Sequence, residues 1–441
     1  MKYSGDNIVS KDKTANPLID SKIINILKKS DKAAFTPLEA YEIIADSYII
    51  SNGVYLLSDL LRGKHAKGEN AADDTDSYAP FMSVIIPVYN EPIELVKSTL
   101  RNMRELEYQG YEIIVADDSD AERDYGNGYK IIRRAEREGF KGGALRNALK
   151  HVDARSELIA IFDADFTVDR DALTKFAQHF KDPKVGAVQG YIKISANENK
   201  NGLTKFISII SEVSDHILYG RYLRGGFVAV QGSNEVYRKE AICRIGGLAP
   251  YLTVNEDLDT SFRLRKSGWK IIYDPKIVGV GLAPETYRKF AGQLSRWTSS
   301  TIREYRRHLS SFMKSKEVKL KEKLDSLMFL STWTISLVVS PTLFLLPLVL
   351  LDSQIPSRLA LPIAAVITAM PVGIMTSIIN SKYRIKMAVK GLAMYFWFLI
   401  PGYFVSFKAA VEGLISEGSF NVTDKNDSSV QAEQVEQGRR L

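Results

Sequence analysis

The 441-residue chain has one cysteine, Cys243. That excludes an internal disulfide and a cysteine-built metal cluster. A reducing compartment follows as the simple expectation, with the working domain in the cytosol. No Gly-x-Gly-x-x-Gly follows a strand-like run, which argues against a dinucleotide-dependent dehydrogenase. The first ten residues are polar and lack the apolar core of a secretory signal. The net charge is +7, yet no nucleic-acid reader motif accompanies the basic residues, so nucleic acid is not an expected partner.

What is present is a globular composition with a membrane-like last third. Between Thr298 and Leu324 stand eight Lys or Arg against three Glu. An apolar run follows at once, and basic residues flanking such a run mark the cytoplasmic membrane face. Residues 326–351 carry no charge for 26 residues and residues 359–381 none for 23; about 20 suffice to span a bilayer. The 17 uncharged residues of 391–407 are flanked by Lys390 and Lys408 and contain Pro401-Gly402. They read as an interfacial helix or as a third span, with the interfacial reading favoured. The expectation is therefore an integral cytoplasmic membrane protein with residues 81–310 as a cytosolic catalytic domain and 311–416 as its membrane region.

Residues 1–80 read as a helical leader and a linker. Thr36-Pro37-Leu38-Glu39 has the form of a helix start. The helix that follows is amphipathic but broken by Glu42 and Asp46, so it either lies on a membrane or packs on the next domain. Lys64 to Pro80 is polar and reads as the linker. Beyond it, short apolar runs alternate with helical patterns. Met82–Pro87, Glu112–Ala116, Leu158–Phe162, Val185–Gln189 and Phe227–Gln231 read as strands; Glu91–Glu105, Gly142–His151, Asp171–Phe180 and Leu258–Ser267 read as helices. This is an α/β pattern that implies a mainly parallel, Rossmann-like sheet with helices on both faces. Ligands bind beyond the carboxyl ends of such strands. Asn90-Glu91, Asp117-Asp118 and Asp163-Ala164-Asp165 all fall there. The last of these offers two carboxylates, one residue apart, to a hard divalent cation such as Mg2+ or Mn2+.

In chain order the motifs are Ile86-Pro87-Val88-Tyr89-Asn90-Glu91, Asp117-Asp118, Lys141-Gly142-Gly143-Ala144, Asp163-Ala164-Asp165, Asn255-Glu256-Asp257, Gln293-x-x-Arg296-Trp297 and Phe420-x-Val422-Thr423-x-Lys425. The ordered set resembles family 2 glycosyltransferases, in particular the membrane-bound branch with cellulose, mannan and hyaluronan synthases. The resemblance implies a GT-A-type fold, a nucleotide-diphosphate-sugar donor (a uridine nucleotide) and an inverting, metal-dependent transfer.

It also implies roles for individual residues. Tyr89 would stack on the base, with Glu91, Asp117 and Asp118 around base and ribose and Lys141 near the nucleotide. Asp165 would hold the metal, and Asp163 would touch the metal or the ribose. Gln293 and Arg296 would bind the diphosphate. Asp257 would be the general base. Trp297, Glu256, Ser233 and Asn234 would meet the acceptor. Val422, Thr423 and Lys425 would belong to a gating loop in residues 417–441, closing over the nucleotide. Leu294 stands where many synthases carry Arg, and the chain shows fewer spans than a polymer synthase. Short products, a lipid-linked acceptor, or a channel built by a homo-oligomer or a partner subunit are the expectations that follow.

Overall fold

The computed structural model describes residues 37–66, 78–249, 254–351 and 400–416, with 394, 397 and 398. The sheet grows from its apolar runs. Strand β1 (Met82–Val88) is buried at all seven positions and β4 (Leu158–Ile161) at all four, as strands covered on both faces must be. Alternate residues divide between two cores. Val84, Ile86 and Val88 pack with helices α2 (Ile93–Arg104) and α4 (Ala172–His179). Ile85 faces the other way, toward helix α3 (Phe140–Leu149).

Strands β2 (Tyr111–Asp117), β3 (Lys130–Arg133), β5 (Thr167–Val168), β6 (Val185–Ile194), β7 (Glu235–Arg238) and β8 (Lys270–Gly281) complete the order β3-β2-β1-β4-β7-β6-β8-β5. The sheet is mixed, which corrects the mainly parallel expectation. Strand β7 runs antiparallel to both β4 and β6, and β5 runs antiparallel to β8. The reversing strand is four residues with polar ends, too short to declare itself by period. The parallel half keeps the predicted rim: Val88 pairs with Asp117, and Ile85 with Ile161, so β1, β2 and β4 end on one side.

Residues 227–231, read as a strand, form no strand and lie outside the sheet. Side chains satisfy their backbone instead. Phe227 N–H donates to Asp325 (2.7 Å), Val230 N–H to Ser261 (3.0 Å) and Gln231 N–H to Gln189 (2.7 Å).

The leader forms helix α1 (Pro37–Ala66), longer than its pattern suggested and reaching past Lys64. It packs on the catalytic domain, against helix α5 (Gly202–Leu223), which a capping box at Asn201 and Thr204 begins. Two glycines permit the contact. A methyl on Gly220 would lie 1.8 Å from Asp59 O, and one on Gly63 would lie 1.9 Å from His216 O.

Helices α6 (Lys239–Arg244), α7 (Glu256–Lys266) and α8 (Tyr287–Lys314) follow. The expected span at 326–351 is not one uninterrupted helix: α9 (Leu320–Thr334) gives way at Ile335 to α10 (Ser336–Leu351). Among the described residues one stretch, Leu320–Pro341, is long and apolar enough to cross a membrane. The expected span at 359–381 lies outside the described residues. Helix α11 (Ile400–Ile415) overruns the 391–407 segment and lies along α8, with Gly413 against Ser299 and Ile302 and Gly402 against Leu294.

Gly220→Ala will force α1 away from α5. The expected loss is about 1–3 kcal/mol, the usual cost of overpacking, read as a lowered melting temperature of the detergent-solubilised protein; an unchanged value would contradict the close helix contact.

Candidate active site

The strand ends carry the first group of residues. After β1 the chain turns at Asn90, whose φ is +59°. Glu91 accepts from Tyr89 N–H (2.5 Å), and the Tyr89 ring, 39% exposed, lies under the Arg137 guanidinium at 5.7 Å. Asp117 and Asp118 are buried and engaged within the protein. Arg133 bonds Asp117 (2.5 Å), and Arg134 grips Asp118 with two parallel bonds of 2.8 and 2.6 Å. Planar forks of this kind fix a carboxylate in orientation as well as in charge. The arginines were missed in the sequence, although the basic run from Lys130 to Arg137 was there to be read.

The second group converges from distant segments. Lys141, in the first turn of α3, donates to Asp163 (2.6 Å) and to Gly232 O, and lies 4.0 Å from Glu256. Its place depends on Gly142, where a methyl would stand 2.6 Å from Ala249 Cβ and 3.0 Å from Glu256 Cβ. Asp163 N–H donates to Ser233 Oγ (3.0 Å). Gly232, with φ +83°, is so close to the base candidate that a methyl would lie 3.2 Å from Asp257 Oδ2. A left-handed residue is required at the point of closest approach.

Burial would lower the Lys141 pKa, but Asp163, Glu256 and Glu235 outweigh it and hold the ammonium above its usual range. The acids respond in the opposite sense. Burial, then the charge of Glu256, pushes Asp257 up to about 7. Burial also raises Glu256. The two neighbours titrate as a pair.

Glu235, which the sequence reading passed over, is buried at the start of β7. It accepts from Gly232 N–H (2.8 Å) and Tyr237 OH (2.9 Å). Burial, then Asp257, pushes it up to about 8. The neighbouring Gly-Ser-Asn turn was the available signal.

Ser233 and Asn234 were expected at the acceptor. Both are buried and serve as flooring: Ser233 holds the Asp163 backbone, and the Asn234 amide donates to Tyr191 O and Ile277 O, both at 2.9 Å. On α8, Gln293 and Arg296 are half-buried and Trp297 is 41% exposed. Arg296 lies near enough to Glu256 to favour its charged form. Asn255 ties the two motifs by bonding Ser300 (3.2 Å), one turn beyond Trp297. Val422, Thr423 and Lys425 lie outside the described residues.

A second acidic group, Asp259, Glu304 and His308, has its ligand atoms within 4.8 Å of one another. Cations and hydrogen bonds of the protein already occupy it. Arg263 donates twice to Asp259 Oδ2, His308 bonds Asp259 Oδ1 (2.7 Å) and Arg307 bonds Glu304 (2.9 Å). It clamps α7 to α8. Asp163 and buried Asp165 stand at the end of β4 and offer oxygen donors of the kind Mg2+ or Mn2+ takes, with Asp163 bonded to Lys141.

The profile of Glycosyl transferase family 2 matches residues 83–246. These residues are a family 2 glycosyltransferase domain. Sequence relatives agree. The chain is 30% identical over 269 residues to "Beta-monoglucosyldiacylglycerol synthase" of Trichormus variabilis, covering 57% of this chain and 55% of that protein. It is 29% identical over 387 residues to "Probable glucomannan 4-beta-mannosyltransferase 7" of Oryza sativa subsp. japonica, covering 81% and 63%. The chain thus spans between about half and two thirds of the length of these curated relatives. The fold of the family 2 domain is shared with a mannosyltransferase from Pyrobaculum calidifontis solved with GDP-Man and Mn2+. That likeness has a TM-score of 0.50 at 19% identity and covers 85% of this chain and 100% of the other.

Asp257→Asn gives a stability test of this electrostatic arrangement. A carboxyl whose folded pKa is raised stabilises the fold below its unfolded value near 3.8, and that contribution is lost as pH climbs through about 7. The variant should therefore gain on the wild type progressively from about pH 4 to about pH 7 and melt roughly 2 °C higher at pH 8. A lower melting temperature at pH 8 would contradict a charge held there at a cost.

Proposed function

We propose that the protein transfers a sugar, with inversion, from a nucleotide-diphosphate sugar to a hydroxyl acceptor at the cytosolic face of a membrane. The observation that carries this reading is the convergence of Asp163, Lys141, Gly232 and Asp257. It brings the residue suited to the donor diphosphate and the residue suited to the acceptor proton into one cluster, within the family 2 domain and its flanking helix.

Asp257 takes the proton from the acceptor hydroxyl as that oxygen attacks the anomeric carbon. The bond to the diphosphate oxygen breaks on the opposite face, and the proton ends on the Asp257 carboxylate. A carboxyl poised near 7 suits this work at neutral pH, because it is basic enough to accept the proton while about half of it is ionised. Arg296 and Gln293 bind the diphosphate, and Trp297 offers its exposed face to an acceptor ring. Asp163 and Asp165 hold the divalent ion, which when bound offsets charge developing on the leaving diphosphate. Tyr89 and Arg137 frame the nucleotide base.

The donor base is uridine on the motif resemblance, while the mannosyltransferase of shared fold was solved with GDP-Man, so both belong in the assay. A lipid hydroxyl is a second acceptor reading, supported by the relative named for monoglucosyldiacylglycerol synthesis. It is also supported by the exposed apolar side chains Leu324, Leu327 and Phe344 on α9 and α10. The membrane anchoring and the growing poly- or oligosaccharide product are part of the same proposal.

The test is nucleotide-diphosphate release by the reconstituted protein over uridine- and guanosine-diphosphate sugars with Mn2+, with saccharide, diacylglycerol or polyprenyl phosphate as acceptor. One donor should support turnover, chelation should abolish it, and Asp257→Asn should lower kcat by about 10²–10⁴-fold. Retained turnover in Asp257→Asn would move the reading to a phosphate acceptor, which needs little base assistance. Binding of nucleotide sugar with no turnover on any acceptor would favour a non-catalytic scaffold.

The pH profile is a separate check. Because Asp257 must be ionised to accept a proton, kcat should fall about tenfold per unit below an apparent pKa near 7 and level off above it. A flat profile between pH 5 and 8 would count against Asp257 as the base.

A further inference from the structure

We infer that Asp325 is a positioning residue for the transfer reaction, tying the first apolar helix to the loop that sets Gly232 beside the base. The inference rests on the transferase reading above. Asp325 is fully buried near the start of α9 and accepts four hydrogen bonds from three other segments. Tyr55 OH (3.0 Å) and Arg224 (2.6 Å) reach Oδ1, while Arg221 (3.0 Å) and Phe227 N–H (2.7 Å) reach Oδ2. Arg224 also grips Asp59 of α1 with bonds of 2.9 and 2.8 Å. Two acids and two arginines thus make a neutral buried cluster, in which removing one charge leaves another uncompensated.

Phe227 is the first residue of the segment that ends at Gly232 and Ser233. A methyl on Gly226 would lie 2.5 Å from the Asp325 carboxylate, so this carboxylate sets where the segment begins. The Phe227 ring stacks on Phe262 of α7 at 4.9 Å, and α7 carries Asp257 in its first turn. Asp325 therefore acts on the base along two routes, through the loop backbone and through the aromatic stack. Since it sits in the stretch Leu320–Pro341, apolar enough to enter a membrane, a displacement of that helix would be felt at Asp257.

The experiment compares Asp325→Asn, Tyr55→Phe and Asp59→Asn in the reconstituted full chain. Asp59→Asn is the control, because it disturbs the same buried cluster without touching Phe227. Asp325→Asn should speed amide exchange across residues 227–235 by about tenfold and leave residues 82–117 unchanged. It should lower kcat by about tenfold with donor KM within about threefold. Tyr55→Phe, which keeps both arginines and the Phe227 bond, should fold and show a smaller change of the same kind. Asp59→Asn should lower the melting temperature without altering exchange in 227–235.

Unaltered exchange in 227–235 for both Asp325→Asn and Tyr55→Phe would overturn the inference. So would equal acceleration in Asp59→Asn, which would make the effect one of general loosening. If the wild type turns over no donor, the transferase reading fails, and the exchange pattern still decides whether Asp325 holds the loop.

Discussion

The lysine at position 141 is the contact on which the site depends. Four carboxyl groups, Asp163, Glu235, Glu256 and Asp257, come from two separate strand ends and a helix start. Brought together without a cation they would repel, and burial would drive protons onto them. One ammonium reaches Asp163 and Gly232 directly and Glu256 at 4.0 Å, and its charge favours ionisation of Glu235 and Asp257 as well. The small residue Gly142 lets α3 approach the start of α7, where a methyl would meet Ala249 and Glu256. Substituting neutral for charged here would release the acids from one another, so the donor side and the acceptor side of the site share one electrostatic constraint.

The remainder of the domain keeps that constraint in register. In the proposed reaction helices α7 and α8 carry the two halves, Asp257 on one and the Gln293, Arg296, Trp297 set on the other. They are locked by Asn255 to Ser300, by the buried Asp259–His308 pair, and by the stack of Phe262 on His308 at 5.2 Å with Tyr305 and Phe312 at its edges. Arg133 at the end of β3 and Arg134 just beyond it do the same for Asp117 and Asp118. These networks are satisfied within the protein and brace the elements that surround the group at Lys141.

Much of this was legible in the sequence where the signal was local. The strands at Met82, Tyr111 and Leu158 announced themselves as apolar runs ending in acids, and their ends do meet at one rim. Asp257 fell in the first turn of a helix, as its neighbours predicted. What stayed hidden was non-local. Strand β7 is too short and polar to show a period, so the antiparallel half of the sheet and Glu235 went unread. Residues 227–231 have strand composition, but side chains of Gln189, Ser261 and Asp325 take their hydrogen bonds, and no window of sequence contains that information. Ser233 and Asn234 looked like channel residues by position and proved to be buried supports. The leader helix could lie on a membrane or on the protein by its pattern alone; Gly63 and Gly220, 157 positions apart by their numbering, decide it.

The most direct test of the account is where a divalent ion binds when a nucleoside diphosphate is present. Crystals of the protein grown with Mn2+ and uridine or guanosine diphosphate would give an anomalous difference map at the manganese edge. The account predicts a peak between the carboxylates of Asp163 and Asp165, with the diphosphate extending toward Arg296. A peak at Asp259, Glu304 and His308, or a nucleotide bound away from the strand ends of β1, β2 and β4, would contradict it.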